Sequence, residues 1–167
     1  MAIFPIRTFG DPVLLTPAEP VAEIDDAVRR LAGDMLETMY DAPGVGLAAP
    51  QIGVPRRVIV FDAGEGPRVM INPEVVELEG DWEFEEGCLS VPDHYWEIAR
   101  PAFVRVRGLD LAGDEVEHAG DELLGRVLQH EVDHLDGILL LEHLPRRTRK
   151  AALRELRSQA LGLRPEA

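Results

Sequence analysis

Cysteine occurs once in the 167 residues, at Cys88. A single thiol excludes an intrachain disulfide framework and leaves a reduced side chain that is structural, reactive or metal-bound. Basic residues are also scarce, with 17 Lys and Arg against 31 Asp and Glu and a net charge of −14. A body this acidic will not bind DNA or other nucleic acid through its general surface. No apolar run approaches the roughly 20 residues that span a bilayer, so no membrane partner is expected. The N-terminal MAIFPIRTFGDP lacks a basic segment followed by an apolar core, so no export signal is expected and the cytoplasm is the expected location. Repeats and low-complexity linkers are absent as well.

What remains is 46% hydrophobic and 29% charged, the composition of one soluble globular domain with a real core. The charge is uneven. Residues 146–167 hold seven basic side chains (Arg146, Arg147, Arg149, Lys150, Arg154, Arg157 and Arg164) and two acidic ones, Glu155 and Glu166. That +5 leaves −19 on the first 145 residues. A basic C-terminal helix over 145–162 is expected, either a solvated surface helix or a contact for an anionic partner.

Ile24, Val28, Leu31, Met35 and Met39 recur at helical spacing, predicting a helix over 22–40 that stops at Asp41–Gly44. RRVIVFD at 56–62 reads as a strand, and 69–80 as two strands broken near Pro73. Residues 103–120 read as a hairpin turning around Gly113, with Val104 and Val106 opposite Arg105 and Arg107. Asp121 can cap a helix over 121–136 and Gly137 can end it. The fold class is therefore α+β, antiparallel strands packed around a central helix with an N-terminal and a C-terminal helix.

That central helix carries RVLQHEVDHLDGILL, an apolar stretch interrupted by His130, Glu131 and His134. Residues four apart share a helix face, so both imidazoles can reach one metal ion with Glu131 beside them. HEVDH fits H-E-x-x-H, a metal-hydrolase pattern; the bland reading is a pair of hydrogen-bonded core histidines. A catalytic site needs a third protein ligand and an open position. Glu142 and His143 are downstream candidates, and Cys88 in EEGCLSVP is the upstream one; thiolate with two imidazoles suits Fe(II), Zn(II), Ni(II) or Co(II). A lone cysteine is otherwise a small buried hydrophobe. In GVGLAAPQIG, 44–53, small residues allow close approach to the backbone, and the Gln51 amide can donate to an oxyanion.

Together and in this order, Gly44-Val45-Gly46-Leu47-Ala48-Ala49-Pro50-Gln51, Glu86-Gly87-Cys88-Leu89-Ser90 and His130-Glu131-Val132-Asp133-His134 resemble the three motifs of the peptide deformylase family. The resemblance extends through essentially the whole chain, including GDPVLLTPAEPV and INPEV. It implies a single metal-dependent deformylase domain over 1–167 that removes the N-formyl group from formyl-methionyl nascent peptides. It implies a metal held by Cys88, His130 and His134, Fe(II) first among the candidates. Glu131 would be the general acid and base, with Gln51 and the Leu89 N–H stabilising the oxyanion. Val45 and Gly46 would pair with the peptide, and Val45, Leu123 and Val127 would line a methionine pocket. Arg126 is either a rim contact or a surface charge. Asp133, Glu86 and Arg100 would form a supporting ion-pair set, the carboxylate taken by Arg100 being open. Tyr95 and Trp96 stand where some members have an arginine and a small residue, which suggests an aromatic rim, and Leu15 replaces a common arginine. The nascent-chain substrate also makes the basic helix a candidate ribosome contact. Rival readings are a zinc endopeptidase, which usually takes its third ligand downstream, and a binding protein with a closed four-ligand metal.

Overall fold

A computed structural model describes residues 2–163. Arg164 and Glu166 of the basic tail, and both ends of the 1–167 domain range, lie outside them. The α+β expectation holds. Five antiparallel strands form one sheet in the order β1 (Gly46–Ala48), β2 (Val58–Phe61), β3 (Arg68–Glu79), β6 (Phe103–Leu109), β7 (Glu115–Gly120). A second sheet is the hairpin of β4 (Trp82–Cys88) and β5 (Val91–Arg100).

Strand periodicity explains the layering. On β2, Val58 and Val60 pack with Val28, Met35 and Met39 of α1 (Asp26–Asp41). The alternate Ile59 and Phe61 pack with Val127, Leu128, Val132 and Leu135 of α2 (Glu122–Leu135). Helices therefore cover both faces, and every residue of β2 is buried. The β4–β5 hairpin approaches α2 from its other side, where Arg126 donates to the Ile98 carbonyl at 2.6 Å. α3 (Arg146–Ala160) closes the structure by burying Ala152 and Leu156 against Val91 and Ile98. No helix among the described residues is long and apolar enough to cross a membrane.

Several boundaries differ from the sequence expectation. α1 starts at Asp26 rather than near 22, because the Asp25 side chain accepts the Val28 N–H at 3.0 Å and fixes the first turn there. Residues 68–79 form one strand, not two. Its register shifts between Ile71 and Glu74, so Pro73 falls in a bulge where its missing N–H costs no ladder bond. Asn72 accommodates the bulge with φ of 51°, its amide bonding both backbone groups of Val21. Asp121 stands at the N-terminus of α2, but its side chain makes no capping bond. Gly113 and Gly137 adopt the positive φ that their turns require, 85° and 74°.

Candidate metal centre and active site

α2 presents His130 and His134 one turn apart, and the β4–β5 turn brings Cys88 to them. The His130 and His134 Nε2 atoms are 3.2 Å apart, and Cys88 Sγ is 3.3 Å from His134 Nε2. All three donor atoms lie within 4.8 Å of one another, and no fourth His, Cys, Asp or Glu joins them among the described residues.

The chemistry of this donor set fits a divalent cation. His130 Nδ1 is 2.6 Å from Glu86 Oε1. A carboxylate can only accept, so Nδ1 carries the proton and Nε2 turns a lone pair inward. Two nitrogens about 2.05 Å from one tetrahedral ion stand roughly 3.3 Å apart, close to the spacing here. Burial opposes a positive charge on His130, but Cys88, Glu86 and Glu131 outweigh it and raise its pKa well above the usual value. The negative surroundings that favour a proton there also favour a metal cation. His134 is pushed the other way, by burial and by the charges on His130 and Arg100. Its Nδ1 is buried with no partner among the described residues.

Glu86 is the hub of the support. Arg100 grips it through two bonds, Nε to Oε2 at 2.8 Å and Nη2 to Oε1 at 2.7 Å, and also donates to Asp133 at 2.8 Å. Arg100 thus takes both carboxylates. Arg126 is not a surface charge, and it is among the residues that line the cleft. It is 5% exposed, donates to Glu86 at 3.2 Å and to the carbonyls of Ile98 and Trp82, and lies over the Trp82 ring. Helical spacing alone cannot reveal this, because the β4–β5 hairpin covers that side of α2. Burial works against the Glu86 charge, yet His130 and Arg100 hold its pKa far below the glutamate range. Neither downstream candidate reaches the metal donors: His143 pairs with Asp133 at 2.7 Å, and Glu142 pairs with Arg149.

Glu131 is buried, with Oε2 partnerless among the described residues. Burial pushes its pKa up to about 7, with the His130 charge pulling against it. A Cβ added at Gly46 would come within 2.6 Å of Glu131 Oε1 and 2.9 Å of Val127 Cγ1. The first glycine motif is bare so that the edge of β1 can press against this carboxyl. Gln51 is buried nearby; its Oε1 accepts the Ala48 N–H at 2.9 Å, which turns Nε2 toward Ser90 Oγ at 3.1 Å and Cys88 Sγ at 3.8 Å. Sequence reasoning misses this role of Ser90, and the only signal for it is its place as the last residue of the cysteine motif.

These groups open into a cleft of about 810 Å³ that includes Val45, Gly46, Gln51, Leu89, Leu123 and Val127 in its lining. Trp82 and Phe84, stacked with ring centroids 4.8 Å apart, form part of its wall. They too are missed by sequence reasoning, although the period-two WEF before Cys88 is a signal for this strand. Tyr95 is 65% exposed at the cleft. Trp96 is not on the rim: the pleat turns it from Tyr95 into the cluster beneath α3, stacked on His94. Leu15 is exposed and lies outside the cleft lining.

The polypeptide deformylase family model matches residues 3–150. The chain is 48% identical over 166 residues to a peptide deformylase of Phenylobacterium zucineum, covering 96% of this chain and 98% of that one. It is 52% identical over 144 residues to one from Alkaliphilus metalliredigens, covering 86% and 98%. The crystal structure of a peptide deformylase from Legionella pneumophila superposes with a TM-score of 0.88 at 42% identity, covering 98% of this chain and all of that one. One from Ehrlichia chaffeensis, in complex with actinonin, superposes at 0.90 with 36% identity, covering 95% and 98%. The likeness covers sequence, fold and nearly the full length of each relative, so the chain belongs to the polypeptide deformylase family, metal-dependent hydrolases that remove the formyl group from N-formyl-methionyl peptides.

Proposed function

We propose that Cys88, His130 and His134 hold one divalent ion, Fe(II) in the native protein, and that Glu131 is the general acid and base. The observation that carries this is the convergence of three donor atoms next to a buried carboxyl with one partnerless oxygen. When bound, the ion supplies Lewis acidity toward water and the formyl oxygen. Glu131 accepts the proton lost by the attacking water and delivers it to the amine nitrogen as the C–N bond breaks, releasing formate. Gln51 Nε2 and the Leu89 backbone N–H donate to the oxygen on which negative charge develops, each worth roughly 2.7–4 kcal/mol if they behave as one oxyanion donor does elsewhere. Three protein donors favour an open, reactive centre over a closed structural one.

The peptide adds to the free edge of β1 through Val45 and Gly46, because among the described residues β1 pairs only with β2. The methionine side chain enters the apolar part of the cleft among Val45, Leu123 and Val127. A formyl carbon bears only hydrogen beside the amide, which suits a confined site; a Cβ at Gly46 would itself collide with Glu131 and Val127. Gly46→Ala is therefore expected to displace the Glu131 carboxyl and lower turnover by about 100-fold, as misplacements near 1 Å can. Formate release by variant and wild type, each with its metal content measured, checks this; turnover within threefold would mean that Gly46 does not set the carboxyl's position.

Turnover of formyl-Met-Ala by anaerobically purified protein, with about one metal per chain, tests the site. Bound metal without formate, even after Fe(II) or Ni(II) reconstitution, would sink the residue roles. Activity that decays in air for the iron form and persists for the nickel form supports Fe(II) beside an oxidisable thiolate.

One domain over the whole chain is the proposed extent, and the cytoplasm the proposed location, where a reduced Cys88 and new polypeptides coexist. A ribosome contact through α3 is also proposed. Arg147, Lys150, Arg154 and Arg157 are exposed and spaced to share one face, while Ala152 and Leu156 are buried on the opposite one. Removing α3 would strip those apolar residues from the core, so neutralising the four charges to Gln is the cleaner test. Co-sedimentation with ribosomes should fall in the variant, and equal sedimentation would end the idea.

A further inference from the structure

His143 faces solvent on the short 3-10 turn Leu140–His143 and is far enough from the metal donors to play no part in the donor group. Yet an unbroken chain of short polar contacts runs from it to His130. His143 Nε2 meets Asp133 Oδ2 at 2.7 Å, and the same oxygen accepts Arg100 Nη1 at 2.8 Å. Arg100 then grips Glu86 at 2.7 and 2.8 Å, and Glu86 meets His130 Nδ1 at 2.6 Å. The 3.5 Å approach of Arg100 Nη1 to His143 Nε2 follows from two donors sharing one acceptor.

We infer that His143 is a positioning residue for the metal centre, acting through Asp133, Arg100 and Glu86 on the orientation of His130; this rests on the reading of Cys88, His130 and His134 as the metal ligands. The geometry has a reason to matter. Arg100 is fully buried at its head and must divide its donors between two carboxylates on different elements, Glu86 on β4 and Asp133 on α2. Asp133 is the less buried of the two, so without a second donor it is free to swing toward water. His143 occupies the outer side of Asp133 and holds it against Arg100. Arg100 in turn keeps the Glu86 carboxylate squarely behind His130, which fixes the imidazole tautomer that turns Nε2 inward. A surface ion pair with no such role contributes little and is insensitive to what lies behind its partner.

The test uses the full chain loaded with Zn(II), which permits release kinetics into excess EDTA and observation of the His130 Nδ1–H resonance without paramagnetism. His143→Phe keeps a ring and removes the donor; His143→Gln returns an N–H donor at similar reach. Zinc release from His143→Phe is expected to be about tenfold faster, the lower end of what outer partners of metal ligands give. The His130 resonance should shift, and KM for formyl-Met-Ala should be unchanged. His143→Gln should restore the wild-type rate. In a Glu86→Gln background the His143→Phe effect should shrink below twofold, because the path is already cut. Unchanged zinc release, or the same tenfold effect in both backgrounds, would overturn the relay while leaving the metal centre standing. A wild-type chain that holds no Zn(II) would overturn both.

Discussion

Glu131→Gln should remove 10²- to 10⁴-fold of the formate-releasing activity, about the share that a positioned acid–base group supplies, while leaving metal bound. The two halves of this result separate two jobs. Turnover falls because an amide neither takes the proton from water nor returns one to the leaving amine. Metal stays because the donor group consists of Cys88, His130 and His134 and does not include Glu131. The substitution is nearly isosteric, so the tight fit of Glu131 Oε1 against Gly46 should survive it. Formate release and metal per chain, measured on one preparation, check both halves. Loss of metal along with activity would make Glu131 a ligand; retention of activity would move the proton transfers elsewhere.

The largest stability effect should come from Glu86→Ala. Glu86 is the shared acceptor for Arg100, Arg126 and His130, and both guanidinium groups are buried. Removing it leaves buried Arg126 with no carboxylate and Arg100 with Asp133 alone, and breaking a buried pair in this way costs about 3–5 kcal/mol. Denaturant unfolding of wild type and variant measures it, and a loss under 1 kcal/mol would mean the arginines find water. The sign of the pH dependence is fixed by the depressed pKa of Glu86. Its contribution is complete above the ordinary glutamate value of about 4.3 and is lost only as pH falls through a folded-state value far below that. The stability gap between wild type and Glu86→Ala should therefore not narrow from pH 8 to 5, and the proton that Glu86 helps His130 to hold can only widen it. A gap that narrows by pH 5 would show an ordinary, loosely held carboxyl.

Much of the site is legible in the amino-acid sequence because its logic is local. His130 and His134 face the same way by the pitch of an α-helix, whatever surrounds them. The 103–120 hairpin, the helix ending at Asp41 and the strand near 58–61 follow from periodicity and turn residues that act over a few positions. The three motifs also carry the family, since each packs its chemistry into a short run.

Choices among chemically similar partners are settled by tertiary structure alone. Helix periodicity cannot tell that a hairpin from residues 82–100 covers the Arg126 side of α2, turning a surface arginine into a buried one. Nor does composition decide that Arg100 takes both Glu86 and Asp133, or that His143 serves Asp133 rather than the metal donors. The continuity of β3 past Pro73 needs Asn72 to reach Val21, far back in the chain. Backbone geometry fixes which residues share a face, so sequence alone determined the helix that carries His130 and His134 and the three motifs that mark the family. Long-range packing fixes which charge meets which, because every carboxylate in the chain offers an arginine the same bond until the fold brings one within reach.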